Sequence, residues 1–144
     1  MNLSSKTRYS LRILLQIAEE TVERPSVKGK VLASKQKISE PYLEQIMIQL
    51  KSSGLVRTTR GCNGGYSLNR APEEITVLDI LELFEGKIQF ADGLLNQKES
   101  IHDHCPSTRI WEELSLELER HAAGITLRSI LDRMKNPDMQ EYVI

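Results

Sequence analysis

The sequence predicts a mainly α-helical fold with a small β wing, in which a winged helix-turn-helix domain is followed by a long dimerisation helix. Two adjacent segments carry this prediction: an amphipathic helix over residues 39–52 and a glycine-tipped β-hairpin over residues 55–69. The third observation is that two further helical segments precede this pair. The order helix, helix, turn, helix, hairpin is typical of a winged helix-turn-helix.

Two helices are predicted ahead of residue 38. The first is capped by Ser5 and continues to about Glu20, because apolar residues recur along it at helical spacing, namely Leu11, Ile13, Leu14, Ile17 and Ala18. The second runs over about residues 28–35 and buries Val31 and Leu32. Both helices are expected to support the helix that follows.

The third helix has the clearest periodicity in the chain. Its apolar residues are spaced i, i+3, i+4 and i+7, at Leu43, Ile46, Met47 and Leu50. Ser39 is a good N-cap, Pro41 is tolerated in the first turn, and Gly54 supplies the C-terminal stop. With the stripe turned inward, the opposite face offers Glu40, Glu44, Gln45, Gln49 and Lys51. That face is either a solvated surface or a surface that binds a partner.

A β-hairpin directly follows this helix. Residues 55–59 and 66–68 are β-prone, and the loop between them carries Arg60 at its tip, followed by Gly64 and Gly65. A glycine-rich turn can enter the minor groove of DNA, whose negative potential attracts an arginine. The alternative is an ordinary hairpin with a solvated arginine. The position of the hairpin behind the third helix favours DNA.

Charge is unevenly distributed along the chain, although the net charge of the whole is only -1. Residues 1–70 hold 12 basic and 5 acidic residues, a net charge of +7, whereas the remaining residues hold 7 basic and 15 acidic residues, a net charge of -8. A basic half is the electrostatic footprint expected of a surface that faces phosphates. The first half is therefore the predicted nucleic-acid-binding half.

Beyond the hairpin, the sequence predicts a short helix capped by Thr76 and stopped by Gly86, and then a polar loop over about residues 91–104. A long helix follows over about residues 106–121, and Thr126 caps a last short helix. These elements make up the acidic half of the chain.

The long helix carries an apolar stripe with the spacing of a helix–helix seam, formed by Trp111, Leu114 and Leu118. If the helix displayed this stripe beyond the main domain, the stripe would be exposed to water, so a homodimer is the economical arrangement. The alternative is that the stripe packs back on its own domain.

Composition and motifs argue against several classes of function. The 144 residues are 40% hydrophobic and 27% charged, enough for one modest core. Because no apolar signal segment and no run near the roughly 20 residues that cross a bilayer is found, no membrane partner is expected. No phosphate-binding glycine loop, nucleophile with its base, or zinc-hydrolase spacing indicates an enzyme. The two cysteines, Cys62 and Cys105, cannot form a disulfide framework, which indicates a reducing cytoplasm.

The chain also resembles a known family, the bacterial Rrf-type winged-helix transcription regulators that include IscR, NsrR and CymR. The resemblance runs nearly end to end, because the chain opening, the recognition helix, the wing and the segment after the wing all take part. The residues that carry it are 3–10, 38–45, 55–66, 72–79 and Trp111.

This resemblance implies a homodimeric transcription regulator, usually a repressor, that binds a palindromic double-stranded DNA operator. It implies that the recognition helix, 39–52, lies in the major groove and the wing, 55–69, in the minor groove. Ser39, Tyr42 and Glu44 match recognition-helix positions near bases and phosphates, and a carboxylate such as Glu44 can accept from a cytosine amino group. The DNA-binding candidates are Lys6, Arg8, Ser39, Tyr42, Glu44, Arg60, Gly64 and Gly65.

The resemblance divides the chain into a DNA-binding domain (1–86), a sensor-like loop (87–105), and a dimerisation helix with a C-terminal helix and tail (106–144). Iron-sulfur members of the family carry three cysteines in that loop. Cys105 matches the last of them, whereas the two preceding positions fall near Gly93 and Glu99. Because thiolates hold such clusters, no cofactor is predicted.

Other interpretations of the loop stay open. His102, His104 and Cys105 are metal-ligand candidates, because imidazole and thiolate suit zinc or another transition metal, and an iron-sulfur cluster is the other cofactor alternative. Cys62 and Cys105 are either redox-sensitive thiols or incidental small residues. In a second functional hypothesis, the chain is a cluster-free protein-interaction module, or a regulator controlled by a partner metabolic enzyme, which resembles the CymR branch.

Overall fold

The computed structural model describes residues 2–90 and 106–138. The predicted polar loop over residues 91–104 lies outside these ranges, as do the ligand candidates His102, His104 and Cys105. The arrangement confirms the predicted mainly α-helical fold with a small β wing. In chain order the elements are α1 (Ser5–Glu20), α2 (Gly29–Gln36), α3 (Glu40–Ser52), β1 (Val56–Thr59), β2 (Gly65–Leu68), α4 (Val77–Glu85), α5 (Pro106–Ala123) and α6 (Leu127–Lys135).

The first three helices share one hydrophobic core. α1 contributes Ile13, Leu14 and Ile17, and each of these side chains is fully buried. α2 ends at Gln36, and the next residue, Lys37, has a left-handed backbone (φ 55°) that makes the tight turn toward α3. Fully burying one aliphatic side chain contributes about 1.5–3 kcal/mol. The predicted stripe of α3 faces this core, because at most 1% of each of its residues is exposed, namely Leu43, Ile46, Met47 and Leu50.

Side-chain caps set the starts of α1 and α3. The Ser39 hydroxyl accepts from the backbone N–H of Tyr42 at 3.2 Å, so the predicted cap of α3 is confirmed. The predicted cap of α1 is wrong by one residue, because Ser4 rather than Ser5 accepts from the backbone N–H of Thr7, at 3.2 Å. Ser5 is instead the first helical residue, which leaves its hydroxyl available for another contact.

The wing is an antiparallel hairpin fastened to the helical core through β2. The register sets Thr59 opposite Gly65. On the other side of β2, Val27 donates its N–H to the Tyr66 carbonyl at 2.9 Å and accepts from the Tyr66 N–H at 2.7 Å. A Cβ at position 65 would lie 2.4 Å from the Val27 carbonyl oxygen, so this close approach requires glycine.

The last helix, α6, returns to the core that α1 and α3 build. Leu127 is fully buried in that core, and the backbones of Thr76 and Thr126 pair in a β-bridge. Both threonines also cap the helices that follow them through reciprocal capping boxes, as predicted for their positions. α6 therefore shares the core of residues 1–86. The division of the chain into three functional segments, at residues 86 and 105, stays a prediction.

Glu85 fastens the end of α4 to the start of α1. Its Oε1 atom accepts from the Ser4 backbone N–H at 2.8 Å and from the Thr7 hydroxyl. The hydrogen bond from Thr7, followed by that from the Ser4 backbone, lowers the pKa of Glu85 below its ordinary value of 4.5. The carboxylate also lies beside a helix N-terminus, where negative charge is favourable.

The Glu85 contact should make stability depend on pH. Because its pKa is lowered in the folded state, its stabilisation is present above the ordinary value of 4.5 and is lost as the pH falls through the folded value. Thermal unfolding followed by circular dichroism should show a lower Tm for Glu85→Gln at neutral pH, with the difference from wild type shrinking in acid. The matched control is Glu82→Gln, an exposed change one turn earlier on α4. A difference that stayed constant with pH would exclude this role of the carboxylate.

Candidate nucleic-acid interface

The outward face of α3 is open to solvent. The inward stripe leaves the opposite side of the helix exposed, and this side consists of Glu40, Pro41, Glu44, Gln45 and Ile48. Ser39, just ahead of the helix, is exposed as well, and its hydroxyl hydrogen is free to be donated outward while the oxygen caps the helix. The predicted candidates Ser39 and Glu44 therefore lie on one surface.

Tyr42 differs from these two residues because it faces α1. Its hydroxyl is 2.7 Å from the hydroxyl of Ser5, and its ring meets the Tyr9 ring edge-on, with centroids 6.0 Å apart. The Arg12 guanidinium lies 5.3 Å from the centre of the Tyr9 ring. Tyr42 thus sets the position of α3 against α1, and it carries its hydroxyl to the surface where the two helices begin. Sequence reasoning missed Ser5 in this role, since nothing local links residues 37 positions apart.

Basic side chains lie near the start of α1. Arg8 is exposed and Lys6 is half-buried, one turn into the helix that Ser4 caps and Glu85 holds. They share the first turn of α1 with Ser5, whose hydroxyl contacts that of Tyr42 on α3. These two sequence candidates therefore lie at the end of α1 that contacts α3.

The wing tip presents Arg60. This arginine is exposed at the end of β1, immediately before the tight turn in which the Gly64 N–H donates to the Gly61 carbonyl at 2.9 Å. A Cβ at Gly64 would lie 2.4 Å from the Thr59 carbonyl oxygen, so the turn has no room for a side chain there. Gly64 and Gly65 are thus required by the shape of the wing, whatever they contact.

Electrostatics join the wing to the recognition helix. Burial raises the pKa of Tyr66, and the nearby carboxylate of Glu44 raises it further. Tyr66 lies on β2 and its ring also packs over Gly29, where an added Cβ would come within 3.2 Å of it. Glu44, on the outward face of α3, is therefore near enough to Tyr66 on β2 to affect its ionisation.

Most basic side chains of this half have no ion pair. Within residues 2–90 and 106–138, Lys35 is paired with Glu20 at 2.6 Å and Arg70 with Asp79 at 3.9 Å. Ion pairs are lacking, in the same ranges, for a larger group that includes residues the sequence reasoning did not single out: Lys6, Arg8, Lys28, Lys30, Lys37, Arg57 and Arg60. Their positive charge is available to phosphates. The excess of basic over acidic residues in the first half of the sequence indicates this property.

Cys62 lies at the wing tip and is exposed. It borders a cavity of about 280 Å³ together with Arg24, Ser26, Lys28 and Asn63. Across the part of the chain that the structure describes, no group of three or more His, Cys, Asp or Glu side chains is arranged to hold a metal. Cys62 is therefore part of no such group among the described residues.

α5 presents two adjacent flanks. Small residues, Thr108, Ser115 and Ala122, are buried against the rest of the chain, and the Ser115 hydroxyl accepts from the Phe90 backbone N–H at 3.0 Å. The neighbouring flank stays exposed: Trp111 is 47% exposed, Leu114 47% and Leu118 38%. The predicted seam is therefore a surface of this chain.

No helix within the described ranges has the length and apolar character that crossing a membrane requires. Residues 3–133 match the Rrf2 family, described as iron-dependent transcriptional regulators. CymR of Bacillus subtilis is 41% identical over 98 residues, covering 68% of this chain and 70% of CymR. IscR of Photorhabdus laumondii is 28% identical over 139 residues, covering 96% of this chain and 84% of IscR. These relatives are transcriptional regulators by name, and none is named as an enzyme.

Solved structures of CymR and of an IscR protein share the fold. The structure of CymR, the global cysteine regulator of B. subtilis, superimposes with a TM-score of 0.75 at 31% identity and covers 92% of this chain and 97% of CymR. That of T. potens IscR gives a TM-score of 0.73 at 31% identity and covers 100% of this chain and 92% of IscR. The chain therefore belongs to the Rrf2 family of winged-helix, DNA-binding transcription regulators.

Proposed function

We propose that the protein is a homodimeric repressor that binds a palindromic operator, with α3 in the major groove and the wing in the minor groove. The observation that carries the proposal is the exposed face of α3, a helix that meets the start of α1 through Tyr42 and Ser5, together with the unpaired basic groups of this half and a wing that ends in Arg60. A DNA operator also places the protein in the cytoplasm.

The exposed groups of α3 fit base and phosphate contacts. Glu44 accepts from the amino group of a cytosine, and the Ser39 hydroxyl donates to a phosphate oxygen while it caps the helix. The hydroxyls of Tyr42 and Ser5, 2.7 Å apart, offer a paired contact to the sugar-phosphate backbone. In this proposal Glu44 supplies base selectivity and the hydroxyls fix the register.

The wing and the start of α1 supply the remaining contacts. Arg60 enters the minor groove, and Gly64 and Gly65 keep the turn thin enough for the backbone to approach. Lys6 and Arg8 bind phosphates next to the major groove. Because these groups lack ion pairs among the described residues, no internal pair has to be broken on binding.

Arg60→Ala should weaken operator binding and reduce its dependence on salt. Each wing that loses its contact should lower the slope of log K against log salt by about one. Fluorescence anisotropy over a salt series, with a duplex from the upstream region of the protein's own gene, measures both quantities. Lys135→Ala removes the same charge from the exposed end of α6 and should leave the slope unchanged. Equal slopes for wild type and Arg60→Ala would refute the role of the wing arginine.

The homodimer is supported by the exposed flank of α5. Trp111, Leu114 and Leu118 form an apolar strip beside the flank that already packs on the chain, so a second copy can cover them without unfolding α5. A palindromic operator also requires two recognition helices related by two-fold symmetry.

Replacing both Leu114 and Leu118 with Glu should yield monomers, because the seam would then bury uncompensated charge. Sedimentation velocity gives the oligomeric state, and operator affinity should fall with it. The control is Leu116→Glu, which places the same charge on an exposed position of α5, 58% accessible, away from this strip. A dimer that survived the double change would place the interface elsewhere.

We further propose that the protein binds DNA without the three-cysteine iron-sulfur cluster of some relatives. The chain has two cysteines, and Cys62 is an exposed residue of the wing, so residues 87–105 offer Cys105 as their single thiolate. The donor set therefore does not fit that cluster.

Purification without oxygen, followed by visible absorbance and iron and sulfide analysis, should give a colourless, iron-free protein that still binds DNA. Cys105→Ser should then bind the operator with unchanged affinity. An iron-loaded, coloured preparation that loses its colour in Cys105→Ser would contradict the proposal.

A second candidate is control by a partner metabolic enzyme, and the 41% identity to CymR over 98 residues favours it. In that case the acidic half and α5 bind a protein. The two candidates are not exclusive, but a module that only binds protein would give no salt-dependent shift of a duplex.

A further inference from the structure

Ile48 is an exposed aliphatic residue on the outward face of α3. It is 64% exposed, whereas the inward aliphatic residues of the helix are at most 1% exposed. At about 3.6 residues per turn, Ile48 follows Glu44 by one turn and Gln45 by three residues, so the three side chains share one surface. Ile48 is thus an apolar point within the polar part of that face.

The fold does not need isoleucine at this position. Its side chain is absent from the buried core, and isoleucine has a lower intrinsic helix propensity than alanine, lysine or glutamate. The apolar side chain of Ile48 is therefore best explained by the partner that this face of α3 contacts. The unpaired basic groups at the start of α1 and at the wing tip identify that partner as a polyanion.

We propose that Ile48 reads a thymine of the operator by contacting its 5-methyl group. This inference rests on the proposed placement of α3 in the major groove. In that groove a T·A pair presents donors, acceptors and one apolar group, the thymine methyl, and an aliphatic side chain can match only the last of these. Glu44 and Ile48 then select different bases one helical turn apart.

The experiment removes the methyl group and the side chain separately. A duplex selected by the full-length protein from a random library serves as the operator, and each thymine is replaced in turn by deoxyuridine, which lacks the 5-methyl group. For wild type, replacing one particular thymine of a half-site by deoxyuridine should weaken binding of the duplex about fourfold, which is the contribution of one buried methyl group. Because both protomers carry the change, Ile48→Ala should bind the parent duplex more weakly by a similar factor for each half-site, and it should be insensitive to deoxyuridine at that position.

Two control variants sharpen the result. Ile48→Val keeps a branched apolar side chain and should retain part of the discrimination. Leu116→Ala, at an exposed aliphatic position of α5, should behave like wild type. Because Ile48 is exposed and alanine favours helix, Ile48→Ala should fold normally, which circular dichroism checks.

The outcomes separate this contact from the function on which it rests. If wild type binds its selected duplex but no deoxyuridine substitution weakens it, the thymine contact is overturned and DNA binding stands. The same conclusion holds if deoxyuridine at that thymine weakens binding by Ile48→Ala as much as it weakens binding by wild type. If no duplex is enriched from the library, the proposed function and this contact are overturned together.

Discussion

The burial of one face of α3 in the core that it shares with α1 and α2 is the constraint on which the rest of the structure depends. The side chains of Leu43, Ile46 and Leu50 have no freedom to leave the core, because each is at most 1% exposed and contributes about 1.5–3 kcal/mol. This burial fixes the rotation of α3 about its own axis. Glu44 and Ile48 consequently point outward because the buried residues occupy the opposite face of the helix. A shift of the buried residues by one position in the sequence would turn a different set of side chains toward the partner.

The same α1 also sets where α3 and the wing lie relative to each other. Tyr42 joins the start of α3 to Ser5, Glu85 joins the end of α4 to Ser4, and Val27 holds β2 beside the helices. Preorganised elements lose less conformational entropy on binding than mobile ones do. The wing and recognition helix are thus held by backbone and side-chain hydrogen bonds before any DNA is present.

Local signals made much of this fold predictable from the sequence. The caps at Ser39, Thr76 and Thr126 depend on residues within three positions, so the starts of their helices were predicted correctly. Ser4 and Ser5 were not distinguishable by that criterion, because the contact that selects Ser4 comes from Glu85, 81 positions away. The links of Val27 and Tyr42 were missed for the same reason. Family positions and charge predict the candidate site residues, but the contact of Tyr42 with α1 depends on tertiary structure.

The contacts of α5 tie the two halves of the molecule together. Ser115 holds the backbone of Phe90, five residues beyond Glu85, and Glu85 in turn holds the first turn of α1, where Ser5 meets Tyr42. Each of these contacts is a hydrogen bond to a group near the surface, where water can replace a lost partner, so each costs less to break than the burial of the core. The α3 stripe, by contrast, cannot be displaced cheaply. The path from α5 to Tyr42 thus consists of hydrogen bonds between elements, whereas the rotation of α3 is fixed by burial.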